Sequence, residues 1–296
     1  MSAAASPSPL AVNLAAVFAV VIWGASPPMT KLAVQSFDPA LVAVLRTLIG
    51  GLASAPILLL LRLGLPKDGA GLRLLLIAGF CGYIGFPLAF TIGVGMTSGA
   101  HGALALAILS LFTGLIAAAV ERRWPQRTWW IGTAIALAGE VCLISFRGGD
   151  AVSGSSLAGD LICLASAAIA SAGYVAGARL SQRGYSSWGT TYWGVVLAGL
   201  VMAAALPFAG PQQALTATLP GWAAVLYLAI GVTIVGYVAW YWALGAGGIA
   251  RIGVIQFLQM PVGVAVSILA LGEPLTWPLA VSAALILVGV AIGQRK

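Results

Sequence analysis

Long apolar stretches restrict the fold of this chain more than any other feature of the sequence. Between polar or Gly/Pro-rich breaks, each stretch has about 20 residues, which is the length that a helix needs to cross a bilayer. Only 7% of the residues are charged, whereas soluble domains carry about 25%. The sequence therefore predicts an all-α polytopic membrane protein with ten transmembrane helices. The expected spans are Leu10–Thr30, Pro39–Leu61, Leu72–Met96, Ser98–Val120, Thr128–Phe146, Leu157–Leu180, Ser186–Phe208, Gly221–Leu244, Arg251–Leu271 and Leu275–Gly293.

The basic residues indicate how these spans are oriented. With ten spans, nearly all of the 14 Lys and Arg residues fall on one side of the membrane. Lys31 and Arg147 fall on the other side, and Arg46 lies inside a span. The positive-inside rule then predicts that the N- and C-termini are both cytoplasmic. The net charge of +7 does not indicate nucleic-acid binding, because the basic residues stand singly or in pairs at the ends of apolar runs.

The second half of the chain repeats the span pattern of the first. A shift of 152 residues places Glu121 on Glu273 and Gly93 on Gly245. We expect one five-helix repeat over residues 1–147, a polar linker over 148–156 and a second repeat over 157–296. Because five is an odd number, the two repeats must enter the membrane in opposite directions. Inverted repeats are typical of transporters, with the substrate site near the bilayer midplane.

Several short motifs resemble those of a known family. They are Trp23-Gly24-Ala25-Ser26-Pro27-Pro28, Leu45-Arg46, Ala250-Arg251, Gln259-Met260-Pro261 and Leu271-Gly272-Glu273-Pro274. Together they resemble the EamA-type members of the drug/metabolite transporter superfamily, and most of all the YddG-type amino-acid exporters. This resemblance implies ten helices, inverted repeats, cytoplasmic termini and a multi-pass location in the bacterial inner membrane. Leu109 stands where Pro261 stands in the second repeat, so we expect the two halves to bend differently.

Polar and aromatic side chains inside spans are the candidates for substrate binding. Tyr237 and Tyr241 are four residues apart and share one helix face, and Gln256 and Gln259 are three apart on the next span. The amides either line a water-accessible cavity or hydrogen-bond a neighbouring helix. Trp23 and Tyr174 lie on the first helices of the two halves and either stack on a substrate ring or pack in the core. The complete set of substrate-binding candidates is Trp23, Tyr83, His101, Tyr174, Tyr237, Tyr241, Gln256, Gln259 and Met260.

Three titratable or charged residues near or inside spans carry a second set of hypotheses. His101, the one histidine, either titrates near neutral pH during transport or is a solvated residue at a helix end. Arg46 either holds a substrate carboxylate or has a structural role. Glu140 either couples transport to protons or only contacts another helix.

These features favour a transporter over other classes of membrane protein. We expect an exporter of small metabolites, most of all neutral and aromatic amino acids, that works by alternating access through a central cavity. A cationic-drug antiporter or a nucleotide-sugar-like carrier of the same superfamily is the alternative. No nucleophile–base set or metal-ligand cluster indicates an enzyme, and we expect no cofactor and no metal. The expected partners are a small-molecule substrate and the lipid bilayer, with a monomeric protein and no nucleic acid.

Overall fold

A computed structural model describes residues 7–96, 99–147, 157–259, 261–262 and 277–295. Every regular element in these residues is a helix. The α-helices are α1 Pro9–Gly24, α2 Ser26–Ala33, α3 Pro39–Leu60, α4 Gly69–Phe80, α5 Phe86–Met96, α6 Gly99–Glu121, α7 Arg127–Arg147, α8 Leu157–Gln182, α9 Ser187–Ala205, α10 Leu219–Leu226, α11 Tyr237–Gly247, α12 Ile249–Gly253 and α13 Trp277–Gly293. A π-helical segment, Cys81–Gly85, joins α4 to α5, and a second one, Tyr227–Gly236, joins α10 to α11. Short 3₁₀ helices cover Leu206–Phe208, Pro211–Leu215 and Val254–Leu258.

Five of these helical stretches are long and apolar enough to cross a membrane, by length and composition alone. They are Pro39–Leu60, Gly69–Gly93, Leu157–Gln182, Ser187–Phe208 and Leu219–Gly247. Shorter apolar helices cover Pro9–Gly24, Ile108–Glu121, Ile249–Leu258 and Ala280–Gly293. The chain is thus an all-helical, multi-pass membrane protein. The count of ten spans and the side on which the termini lie stay predictions, and the 148–156 linker lies outside the described residues.

Polar caps set where several of these helices begin. The side chains of Asp38, Asp68 and Thr218 accept hydrogen bonds from the first turns of α3, α4 and α10. These bonds satisfy backbone N–H groups that have no partner inside a helix. Proline occupies the first or second position of α3 and α10, where its missing N–H has no cost. These three helices therefore start at local signals that the sequence contains.

Two helix pairs join the halves of the chain at close range. The α3 helix packs along α9, and α7 packs along α13. Glycines allow this approach: a Cβ atom at Gly51 would lie 3.1 Å from the carbonyl oxygen of Val195. Between membrane helices, small residues let backbones come close enough for dispersion contacts to hold them together. The other helices enclose a buried centre between these pairs.

Loops from the two halves also meet at the end of the molecule where α3 leads into α4. Arg183 forms an ion pair with Asp68 at 2.5 Å, and the Tyr185 hydroxyl donates to the Gly64 carbonyl oxygen at 2.6 Å. Burial raises the pKa of Tyr185 to about 12, so the phenol keeps its proton, and this hydrogen bond, throughout the physiological pH range.

We expect Arg183→Gln to lower the free energy of unfolding by less than about 1 kcal/mol, because an exposed ion pair gains little in water. The Arg183 and Asp68 side chains are 49% and 55% exposed. Equilibrium unfolding in mixed detergent micelles measures the difference, with Arg123→Gln, an exposed arginine, as the matched control. A loss of several kcal/mol specific to Arg183→Gln would contradict this assignment.

Candidate functional site

A break in the first apolar stretch places Trp23 at the centre of the molecule. The expected helix Leu10–Thr30 is in fact two helices, because α1 ends at Gly24 and α2 begins at Ser26. Pro27 has no N–H with which to reach the Trp23 carbonyl four residues earlier. That carbonyl instead accepts a hydrogen bond from Gln259 Nε2 at 3.2 Å, across 236 residues of sequence.

Trp23 and Tyr174 stack on each other. Their ring centroids are 5.4 Å apart and their planes differ by 9°. The Trp23 indole Nε1 also donates to the Val232 carbonyl oxygen at 3.0 Å, which fixes the plane of the ring. The two residues are 151 positions apart, one fewer than the repeat shift. The first helices of the two halves therefore bring near-equivalent aromatic residues together.

Four more rings complete the centre. Tyr237 lies 4.6 Å from Tyr83 between ring centroids, and its hydroxyl donates to the Gly82 carbonyl oxygen at 3.0 Å. Tyr241 lies 5.5 Å from Tyr237. Trp240 lies 5.4 Å from Trp23; it is absent from the candidates above, although its position three residues after Tyr237 is a usable signal. We call Trp23, Tyr83, Tyr174, Tyr237, Trp240 and Tyr241 the aromatic cluster.

Glycines on the surrounding helices make room for the aromatic cluster. A Cβ atom at Gly177 would lie 2.1 Å from Cε1 of Tyr241, and one at Gly236 would lie 2.3 Å from Nε1 of Trp23. At Gly82 the nearest atom would be Cε1 of Tyr237, at 3.2 Å. Gly82 therefore has a packing role.

Arg46 reaches the edge of the aromatic cluster from α3. It is 6% exposed, and its Nη2 donates to Thr233 Oγ1 at 3.2 Å. Thr233 in turn donates to the Leu228 carbonyl oxygen at 2.8 Å, so its hydroxyl is oriented to accept. Tyr174 and Tyr237 are the electrostatic neighbours of the guanidinium. An arginine inside a membrane span costs up to about 2.5–3.5 kcal/mol on insertion scales, so a ligand with negative charge would be stabilised beside it.

The two glutamines have different surroundings. Gln259 Nε2 donates a hydrogen bond to the Trp23 carbonyl oxygen. An inter-helix hydrogen bond of this kind is one of the two alternatives that the sequence offered for this amide. Gln256 is 3% exposed and lies beside Tyr174. Its Oε1 has no hydrogen-bond partner in the part of the chain that the structure describes. The sequence left two alternatives for Gln256, a cavity-lining position and an inter-helix hydrogen bond, and both stay predictions for this buried side chain.

Both π-helical segments lie next to the aromatic cluster. The first contains Tyr83, and the second ends immediately before Tyr237. When the first segment is shifted by 152 residues, it falls on 233–237 and overlaps the second. Such segments are rare and occur often at functional sites. Their coincidence in the two halves therefore supports assigning function to this region.

The remaining candidates fall outside what the structure describes. Met260 is one of them, and for His101 and Glu140 only the helical backbone is described. Their hypotheses stay predictions. Within the described residues there is no group of three or more His, Cys, Asp or Glu side chains that could hold a metal ion.

Comparisons with known proteins agree with this architecture. The model of the EamA-like transporter family matches the chain twice, over residues 10–145 and 157–292. The chain is 31% identical over 279 residues to the uncharacterized transporter YdeK of Bacillus subtilis (strain 168). That alignment covers 93% of this chain and 94% of YdeK. It is 26% identical over 146 residues to the uncharacterized transporter YdfC of the same strain, over 49% of this chain and 46% of YdfC.

A solved crystal structure shows the same fold. It superposes with a TM-score of 0.77 over 95% of this chain and 97% of its own, at 21% sequence identity. The family match covers both halves of the chain, and the YdeK alignment covers nearly all of it. The chain therefore belongs to the EamA-like transporter family and is a membrane transporter.

Proposed function

We propose that this protein exports small neutral amino acids, aromatic ones included, in the manner of the YddG-type transporters. The observation that carries the proposal is the aromatic cluster, in which both halves of the chain supply rings to one buried centre. Apolar and aromatic walls with a few polar groups are typical of sites for small organic ligands. The stacked pair of Trp23 and Tyr174, 5.4 Å apart, offers two ring faces to a planar side chain.

Alternating access follows from the closed centre. All six rings of the aromatic cluster are at most 3% exposed, so a substrate reaches them only after helices from the two halves move apart. In an inverted repeat, this motion opens the site to one side of the membrane at a time. Contacts between rings of different halves, such as Trp23 with Tyr174, are then the contacts that part when a substrate enters.

Flux through the purified protein tests this proposal. We expect proteoliposomes preloaded with tryptophan to take up radiolabelled tryptophan, saturably and in competition with phenylalanine and methionine. Trp23→Ala should lower the initial rate about tenfold, because an aromatic pair is worth about 0.5–1.5 kcal/mol beyond the area that it buries. Trp124→Ala is the matched control, since Trp124 is 76% exposed and should leave the rate unchanged.

Two results would contradict the proposal. One is wild-type uptake that does not exceed that of protein-free liposomes for any neutral amino acid. The other is saturable, competable transport of cationic drugs with no competition by amino acids, which favours the antiporter alternative.

A further inference from the structure

Two buried polar side chains at the centre have complementary free atoms. Arg46 is a permanent cation, and its Nε has no hydrogen-bond partner among the described residues. Gln256 presents Oε1, an acceptor that is also unpartnered there. The two side chains are 6% and 3% exposed. Because buried polar atoms in folded proteins are nearly always paired, these two atoms mark positions that a ligand can complete.

Tyr174 links Arg46 to Gln256. It is one of the electrostatic neighbours of the Arg46 guanidinium, and its hydroxyl lies beside the Gln256 side chain. Its ring stacks on Trp23. A cationic hydrogen-bond donor, a neutral hydrogen-bond acceptor and the face of an aromatic ring therefore lie around Tyr174.

The surrounding helices hold both groups in place. Thr233, within the second π-helical segment, fixes one end of the guanidinium through its hydroxyl. Gln256 lies in the 3₁₀ helix Val254–Leu258, in which residues 254–257 are all buried. Arg46 also has no ion-pair partner among the described residues, where Arg183 pairs with Asp68. The guanidinium is thus oriented by Thr233 and has no counter-ion within the described part of the chain.

We propose that this centre recognises the zwitterionic end of an α-amino acid. Arg46 binds the substrate carboxylate, and Gln256 Oε1 accepts a hydrogen bond from the substrate ammonium. Arginine suits the carboxylate because its planar donors match the two oxygens, and the Tyr174 ring beside Gln256 adds attraction for the ammonium. The inference rests on the proposed function and narrows it: substrates need both a free carboxylate and a free ammonium.

Binding of three indole compounds to the purified full-length protein tests this assignment. Tryptophan carries both groups, tryptophanamide lacks the carboxylate, and indole-3-propionate lacks the ammonium. Isothermal titration calorimetry should show that the wild-type protein binds tryptophan at least about tenfold more tightly than either analogue, a difference of about 1.4 kcal/mol. Equal affinity for all three compounds, or no binding of any of them, would overturn the inference.

Two variants should each remove one preference. Arg46→Gln should abolish the preference for tryptophan over tryptophanamide and keep the preference for tryptophan over indole-3-propionate. Gln256→Leu should abolish the preference over indole-3-propionate and keep the preference over tryptophanamide. Arg46→Lys keeps the charge and should retain part of the carboxylate preference, and Arg123→Gln should change neither preference. Each preference is a ratio measured within one variant, so a general loss of stability cancels. An equal loss for all three ligands in both variants would assign Arg46 and Gln256 a purely structural role and overturn the inference.

Uptake measured in parallel separates this inference from the proposed function. If the wild-type protein transports tryptophan but shows no preference over the two analogues, zwitterion recognition fails and amino-acid transport stands. If the preferences appear but proteoliposomes show no flux, transport of amino acids fails and the recognition site stands.

Discussion

Gly132→Ala is expected to lower the free energy of unfolding by about 3 kcal/mol, the upper part of the usual range for overpacking. A Cβ atom at position 132 would lie 2.3 Å from the Gly293 nitrogen and 2.5 Å from the Gly289 carbonyl oxygen. Both are backbone atoms, so no change of side-chain rotamer can relieve the overlap. The α7 and α13 helices would have to separate, and their dispersion contacts would be lost along the whole pair.

Equilibrium unfolding in mixed micelles measures this loss. Ala134→Val is the matched control, because Ala134 is an exposed residue two positions away on the same helix. We expect it to change the free energy of unfolding by less than about 0.5 kcal/mol. Equal stability of the Gly132→Ala variant and the wild-type protein would show that α7 and α13 do not pack this closely.

The closely packed helix pairs show which parts of the fold can be predicted from the sequence. Hydrophobic length locates α3 and α9 to within a few residues, and Asp38 marks the start of α3, because both signals are local. Gly289 and Gly293 have the small-xxx-small spacing that favours close packing. Their partner, Gly132, has the same spacing with Ala136, but it lies more than 150 residues away, and the local sequence does not show which small residues meet.

The candidate site also has features that the sequence predicts and features that it does not. The repeat singles out Trp23 and Tyr174, since both lie on the first helix of a half, and the helical face predicts that Tyr237 and Tyr241 lie together. The stack of Trp23 on Tyr174 depends on the helix break after Gly24 and on the Trp23 carbonyl, which Pro27 leaves without a helical partner. The continuous apolar run around these residues gives no sign of the break. The π-helical segments have no compositional signature that a sequence reading could use.

Arg46 illustrates the limit most clearly. Its depth inside a span is evident from the sequence, and so is the cost of a charge there. The hydroxyl that orients it belongs to Thr233, 187 residues later. Only the three-dimensional arrangement brings that hydroxyl, Tyr174 and the free Nε together.

Gly236→Ala is expected to lower the initial rate of tryptophan uptake at least about tenfold, because it acts directly on Trp23. The added Cβ would lie 2.3 Å from the indole Nε1, the atom that donates to the Val232 carbonyl oxygen. The ring would be displaced from its stack on Tyr174, and a buried donor would lose its acceptor at a cost of about 1–3 kcal/mol. A loss of about 1.4 kcal/mol in the binding free energy of tryptophan is enough for a tenfold fall in the rate.

Gly231→Ala provides the matched control within the same π-helical segment. The atom nearest to its Cβ would be Cε2 of Tyr227, at 3.5 Å, which is ordinary van der Waals contact. We therefore expect uptake within about twofold of the wild-type rate, since substitutions without overlap usually cost under about 0.5 kcal/mol. Adding Trp23→Phe to Gly236→Ala should restore part of the lost rate, because the smaller ring vacates the position of Nε1. If Gly231→Ala and Gly236→Ala slow uptake equally, the rate depends on the segment as a whole and not on the placement of Trp23.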